Sequence, residues 1–217
     1  MNYKIAVSLA AAPLTNLNEV ISQLDQAAVD FLHFDIEDGN FVPMMTLGTK
    51  IISDLRPLTS RPFDVHLMMV NPDWILDDLV QMGTDRISVH LEACPYPRRT
   101  LSNIVSLGVQ AGIALNPATP LPDLEILLPY LSFVLILSTE PEYPNASFLP
   151  SVLNKVRAGK ERYGESGIEW DVDGGINPAN LAMVLEAGAD VIVVGRSAFQ
   201  GGNITQNIAL LRRSAIS

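Results

Sequence analysis

A single cysteine, Cys94, stands in the 217 residues. No intrachain disulfide can form, and the chain suits a reducing compartment. Long apolar runs are also missing: none reaches the roughly 18 residues that a membrane span needs. The N-terminus lacks the charged start, apolar run and small-residue cleavage pattern of a secretory leader, so a soluble, cytoplasmic protein without a membrane partner is expected. Positive charge is scarce. Lys and Arg number 14 against 24 Asp and Glu, giving a net charge of −10, and the basic residues cluster only as the pairs Arg98-Arg99 and Arg212-Arg213. A net acidic chain repels polyanions, so nucleic acid is not an expected partner. Histidine is rarer still, with only His33, His66 and His90.

What is present is apolar and regularly arranged. Hydrophobic residues make up 48% of the chain, enough for one sizeable core. Short β-branched runs at 4–9, 31–36, 63–67, 86–90, 110–115, 133–137, 168–172 and 190–194 are bounded by Gly, Pro, Asn or Asp and predict strands. Amphipathic stretches at 16–28, 49–56, 72–82, 98–107, 121–129, 151–163, 178–187 and 203–213 predict helices between and after them. Pro72 and Pro178 each follow an asparagine, Asn71 or Asn177, a pairing that suits a helix start. Alternating strands and helices imply a parallel sheet with crossover connections. Eight units without a break favour an α/β fold closed as a (β/α)8 TIM barrel, a single domain over residues 1–217, with an open doubly wound sheet as the alternative. Gly83-Thr84-Asp85 and Gly188-Ala189-Asp190 recur between a helix and a strand and hint at a repeated βα unit.

Active sites of such barrels form at the C-terminal strand ends. There the second strand reads His33-Phe34-Asp35-Ile36-Glu37, and alternation puts His33, Asp35 and Glu37 on one face. His66 ends the third run, His90 and Glu92 the fourth, and Asp171-Val172-Asp173 the seventh, followed by Gly174-Gly175. A lone strand histidine is usually a satisfied core residue. Three of them on three strands, beside aspartates too costly to bury unpaired, point instead to ligand chemistry. Imidazoles with carboxylates suit a divalent metal such as Zn, Fe or Mn. Gly195-Arg196-Ser197 after the eighth strand and Gly174-Gly175 after the seventh let backbone N–H groups approach an anion, and phosphate often binds at that corner, where a short helix N-terminus adds positive charge.

The motifs LHFDIEDGNFVP (32–43), FDVHLMM (63–69), VHLEA (89–93), LNPATP (115–120), DVDGGINP (171–178) and EAGADVIVVGRSAF (186–199), in this order, give the chain a resemblance to the ribulose-phosphate 3-epimerase family over nearly its whole length. The resemblance implies an isomerase of carbohydrate metabolism in the pentose phosphate segment, acting on a ketose phosphate, and a homo-oligomer. It implies a divalent metal held by His33, Asp35, His66 and Asp173. It makes Asp35 and Asp173 the two acid/base residues that remove and return the C3 proton through a metal-stabilised enediolate. Ser8 falls on a substrate-contacting position, and His66, Glu37, Gly174, Gly175, Gly195, Arg196 and Ser197 complete the expected substrate contacts.

Three places depart from the family pattern. Glu37 stands where the family usually has methionine, and it either faces inward with His33 and Asp35 or is solvated beyond the strand. The glycine-rich loop NPGFGGQ reads Glu140-Pro141-Glu142-Tyr143-Pro144-Asn145-Ala146-Ser147, which puts phosphate binding and closure of that loop in question. Ala10-Ala11-Ala12-Pro13 replaces a more polar run after the first strand, while Arg196 offers a compensating cation at the phosphate corner. The alternatives are a non-catalytic sugar-phosphate-binding barrel or another reaction of phosphorylated sugars. Aldol and decarboxylation chemistry would call for a lysine near the strand ends, but Lys4, Lys50, Lys155 and Lys160 lie at a strand start or in helical stretches.

Overall fold

A computed structural model describes residues 3–141 and 147–215. Eight parallel strands close into a barrel in sequence order. They are β1 (Lys4–Ser8), β2 (Phe31–Glu37), β3 (Phe63–Met68), β4 (Arg86–His90), β5 (Gln110–Leu115), β6 (Phe133–Leu137), β7 (Glu169–Asp173) and β8 (Val191–Val194). Pairing of β1 with β8 closes the ring, with Val7 opposite Val194, and the open-sheet alternative is excluded. The helices are α1 (Leu17–Gln26), α2 (Lys50–Leu55), α3 (Leu76–Gln81), α4 (Pro97–Ser106), α5 (Leu153–Tyr163), α6 (Leu181–Glu186), the short α7 (Arg196–Phe199) and α8 (Ile204–Ser214).

The strands lie within a residue or so of the expected runs because alternate side chains are buried on both barrel faces. Outward residues such as Val7, Leu32, Phe34, Val65 and Ile192 pack under the helices. Inward residues Ala6, Phe31, Ala114, Leu135, Leu137, Val191 and Val193 form a separate apolar cluster. Much of the rest of the interior is polar. Arg86 is 1% exposed on its side chain, donates to Asp171 Oδ2 at 2.6 Å, and lies 3.8 Å from Asp64 and 3.6 Å from Glu169. Its guanidinium stacks on the rings of Phe133 and Phe31, 3.9 Å and 4.5 Å from their centroids.

One expected helix is absent, and two helices open differently from expectation. Residues 121–129 form turns, not a helix, with Leu127 and Leu128 N–H groups both donating to the Leu124 carbonyl. Pro122 and Pro129 bracket the segment and cannot donate, and proline also disfavours helix in the residue before it. Leu124, Leu127 and Leu131 are buried all the same, so the apolar spacing is real while the helix is not. The third helix opens as a 3-10 turn over Pro72–Ile75, with Asn71 ahead of it left-handed at φ 53° and making no capping bond, and α6 begins at Leu181 after Asn180 rather than at Pro178.

The repeated Gly-x-Asp has a definite job. Gly83 and Gly188 take φ of +90° and +99°, turning the chain out of a helix where a side chain would be strained. The aspartate then grips one residue of the preceding strand at two points. Asp85 N–H donates to the Phe63 carbonyl at 2.9 Å, and its Oδ2 accepts the Phe63 N–H at 2.7 Å. Asp190 holds Trp170 in the same way, and Asp30 holds Ile5.

Candidate active site

The C-terminal strand ends surround a cleft of about 700 Å³. Its lining includes Ser8 from β1, Asp35 from β2, His66 and Met68 from β3, Asp173 from β7, and Gly174, Gly175, Gly195, Arg196 and Ser197 from the loops after β7 and β8. His33 lies one inward position below Asp35 and is fully buried.

His33, Asp35, His66 and Asp173 each offer one ligand atom to a group whose atoms all lie within 4.8 Å of one another. Asp35 Oδ1 is 3.2 Å from His33 Nε2 and 3.2 Å from His66 Nδ1, and its Oδ2 accepts the Ser8 hydroxyl at 2.7 Å. Asp173 Oδ2 lies 3.9 Å from His33 Nε2. The other nitrogen of His33, Nδ1, is 2.9 Å from Asp64 Oδ2. Two imidazoles and two carboxylates at this spacing match the nitrogen and oxygen donors of a tetrahedral or open divalent-metal site.

The environment drives the carboxyls apart. Burial pushes Asp35 up, but the charge of His33 and hydrogen bonds with both imidazoles outweigh it and hold its pKa well below the usual range. Burial and the neighbouring charge of Asp35 raise Asp173 to about 7. His33 is depressed by burial yet lifted well above its usual value by Asp35 and Asp64.

The glycine corner is shaped by necessity. Gly174 takes φ +114°, and a Cβ there would sit 2.5 Å from Thr139 Oγ1 and 2.8 Å from the Thr139 nitrogen. The Ser138 hydroxyl lies 2.8 Å and 2.6 Å from the carbonyls of Asp173 and Gly174, fixing the end of β7. The Ser197 hydroxyl donates to the Ile176 carbonyl at 2.8 Å and ties the loops after β7 and β8 together. Arg196 is exposed at the cleft edge.

Glu37 behaves differently from the other expected contacts. β2 runs through it and it is 3% exposed, so it is not solvated, but it is absent from the cleft lining and from the four-residue group. Its Oε2 accepts the Thr46 N–H, which fastens the loop after β2. Within the altered loop, Glu140 and Pro141 line the cleft, while Glu142, Tyr143, Pro144, Asn145 and Ala146 lie outside the described residues. Asp64 beneath His33 carried no expectation, whereas His90, one of the three strand-end histidines, lies with Glu92 beside His66 and outside the four-residue group. The VHLEA motif holds His90 and Glu92 two residues apart, and that spacing was the available signal. Burial lowers His90 to about 4, and Glu92, opposed by burial, falls to about 2 through bonds from His90, Thr119 and Asn116.

A closed parallel barrel with imidazoles and carboxylates gathered at its mouth defines a (β/α)8-barrel enzyme with a candidate metal centre. Likeness to known proteins narrows the class. Among solved structures, 3-keto-L-gulonate-6-phosphate decarboxylase from Vibrio cholerae superposes with a TM-score of 0.71 at 18% identity, covering 100% of this chain and 98% of that one. Orotidine 5'-phosphate decarboxylase from Pyrococcus horikoshii gives 0.70 at 16%, covering 98% and 99%. At such identity the likeness speaks for the fold alone. The ribulose-phosphate 3 epimerase family matches residues 4–199. Ribulose-phosphate 3-epimerase of Synechocystis is 44% identical over 98% of this chain and 94% of its own length. The Escherichia coli enzyme of the same name is 37% identical over 91% and 89%. The chain belongs to the ribulose-phosphate 3-epimerase family.

Proposed function

We propose that the protein interconverts ribulose 5-phosphate and its C3 epimer, with Asp35 and Asp173 as the two proton-transfer groups and His33, Asp35, His66 and Asp173 as ligands of a divalent metal. The observation that carries the reading is the pair of aspartates from β2 and β7 converging on two imidazoles, with opposite pKa displacements. Strands β8 and β1 separate β7 from β2, so a ketose lying between them meets a carboxyl on each side. Asp35, held ionised, takes the C3 proton. Asp173, whose pKa is raised to about 7, delivers a proton to the other face, and the two exchange roles in the reverse direction. The donor set fits Zn, Fe or Mn, and such an ion when bound supplies Lewis-acid stabilisation of the negative charge that develops on the sugar oxygens. Ser8 orients Asp35 through its hydroxyl. His66 faces the cleft beside Asp35, where it would hold the ion and reach the sugar.

The phosphate sits in the corner made by Gly174, Gly175, Gly195, Arg196 and Ser197, remote from C3, and its binding positions the sugar. Glu37 supports this site indirectly by anchoring the loop at Thr46.

Metal analysis of the purified protein, together with solvent deuterium incorporation at C3 of ribulose 5-phosphate, tests the proposal. Stoichiometric metal and rapid C3 exchange are expected, with Asp35→Asn and Asp173→Asn each losing about 100-fold or more of the exchange rate. Exchange that survives both substitutions, or tight substrate binding with no exchange, overturns it.

A further inference from the structure

His90 takes no part in the chemistry above, yet it is buried and bonded through both ring nitrogens. Its Nδ1 lies 3.1 Å from Glu92 Oε2, and its Nε2 lies 2.9 Å from Nε2 of His66. Glu92 is itself fixed. Its Oε1 accepts the Asn116 N–H at 2.8 Å and the Thr119 hydroxyl. The Phe41 ring packs on His90 with centroids 4.5 Å apart, so the imidazole is held in place from a third side.

His66 Nδ1 and Asp35 Oδ1, which otherwise share a hydrogen, both turn lone pairs to a cation held between them, and the remaining contacts then leave one arrangement of hydrogens. A carboxylate only accepts, so His90 Nδ1–H donates to Glu92. A neutral imidazole protonated at Nδ1 has a lone pair at Nε2. The hydrogen between the two Nε2 atoms must therefore belong to His66. His66 Nδ1, 3.2 Å from Asp35 Oδ1 and inside the four-residue donor group, is then the nitrogen that gives its lone pair to the cation.

We infer that Glu92 and His90 are positioning residues that set the tautomer of His66, presenting its Nδ1 to the Asp35–Asp173 site as a cation ligand. The inference rests on the reading of that site as a metal centre. It does not depend on which sugar phosphate is turned over. On the opposite side of the site Asp64 takes the Nδ1 edge of His33 directly, so the two imidazoles face the ion through different nitrogens. Outer partners of this kind typically matter about 10–100-fold in metal affinity.

The relay has a polarity, and one isosteric change reverses it. In Glu92→Gln the side chain has a single acceptor oxygen, which the Asn116 N–H claims. The amide nitrogen then faces His90 and donates to its Nδ1. His90 must carry its proton on Nε2, His66 must accept there, and the His66 proton moves to Nδ1, where it blocks the ligand atom. Glu92→Ala removes the contact altogether and leaves His90 free to adopt either tautomer.

The experiment compares full-length parent, Glu92→Gln and Glu92→Ala after metal removal. Zinc affinity is measured against a competing chelator, and imidazole nitrogens are assigned by long-range 15N–1H correlation spectra. In the parent, His66 is expected to be protonated at Nε2. Glu92→Gln is expected to leave His66 bare at Nε2 and protonated at Nδ1, and to bind zinc about tenfold or more weakly than Glu92→Ala. A merely structural Glu92 gives the opposite order, with the isosteric glutamine closer to the parent than alanine. That order, or a His66 tautomer unchanged in Glu92→Gln, overturns the inference. Neither readout uses turnover, so failure of the epimerase reading, seen as absent C3 exchange, leaves these results standing.

Discussion

Arg86→Met puts the polar barrel floor to a quantitative test. Met keeps much of the length of the arginine stem but removes its charge. The guanidinium it replaces is 1% exposed and faces three carboxylates: Asp171 at 2.6 Å, Glu169 at 3.6 Å and Asp64 at 3.8 Å. Breaking a buried pair from one side costs about 3–5 kcal/mol, because the remaining charge is stranded. For a chain of this size each kcal/mol corresponds to about 2–4 °C, so a fall of about 6–20 °C in Tm at pH 8 is expected. The loss has a definite pH dependence. Burial raises Asp171 to about 7 even with Arg86 present to oppose it. A carboxyl with a raised folded pKa stabilises the fold while protonated and loses that contribution as pH rises through the folded value. Without Arg86 the raised value goes higher still, so the deficit of the variant is smallest near pH 5 and grows toward pH 8. Thermal melts of parent and variant across that range measure it. Arg86→Met/Asp171→Leu removes both partners of the shortest contact and should regain part of the loss. A variant within about 1 kcal/mol of the parent at pH 8, or a double variant no better than the single one, refutes the reasoning.

Three further outcomes follow from other parts of the molecule. Gly159 on α5 meets Trp170 on β7 so closely that an added Cβ would lie 2.0 Å from the indole, so Gly159→Ala should cost about 1–3 kcal/mol despite alanine's better helix propensity, and a melting temperature at or above the parent's would contradict this. Arg196→Gln should raise KM for a phosphorylated ketose about tenfold with kcat little changed, since a charged hydrogen bond to a remote group is removed; steady-state kinetics showing a fall in kcat alone would count against the phosphate corner. Glu37→Met should leave the Thr46 amide about tenfold quicker to exchange with solvent, and hydrogen-exchange mass spectrometry or NMR showing no change would mean that the carboxylate does not hold the loop.

Much of the barrel was legible because its strands are the most constrained segments of the chain. Runs such as Val191–Val194 and Phe133–Leu137 are buried on both faces and carry a continuous apolar signal bounded by turn residues. The segment at 121–129 was misread because burial of Leu124, Leu127 and Leu131 produces a helix-like spacing whether the backbone is helical or not. Near the site, the three histidines with Asp35 and Asp173 stood out as polar residues at strand ends, where an unpaired charge is too costly to be incidental, and the family resemblance narrowed them to His33, Asp35, His66 and Asp173. Glu37 could not be resolved in the same way. Its alternation with Asp35 put it on the inner face, but its partner is a backbone N–H nine residues later in a loop of no regular pattern. Nor could the role of His90 be read from the sequence, since the two histidines of the relay are 24 positions apart and meet only through the register of β3 and β4.

The two-point grips of Asp30, Asp85 and Asp190 lie at the far end of the barrel from the chemistry, yet the chemistry depends on them. A shift of one residue between neighbouring strands exchanges the inner and outer sets of side chains. Such a slip of β3 would turn His66 out beneath the helices and bring Val65 or Leu67 to the mouth. Each aspartate occupies both backbone groups of a single residue, so a displaced neighbour would find no matching donor and acceptor. The barrel thus indexes the side chains at its mouth from below, like a key cut measured from its shoulder.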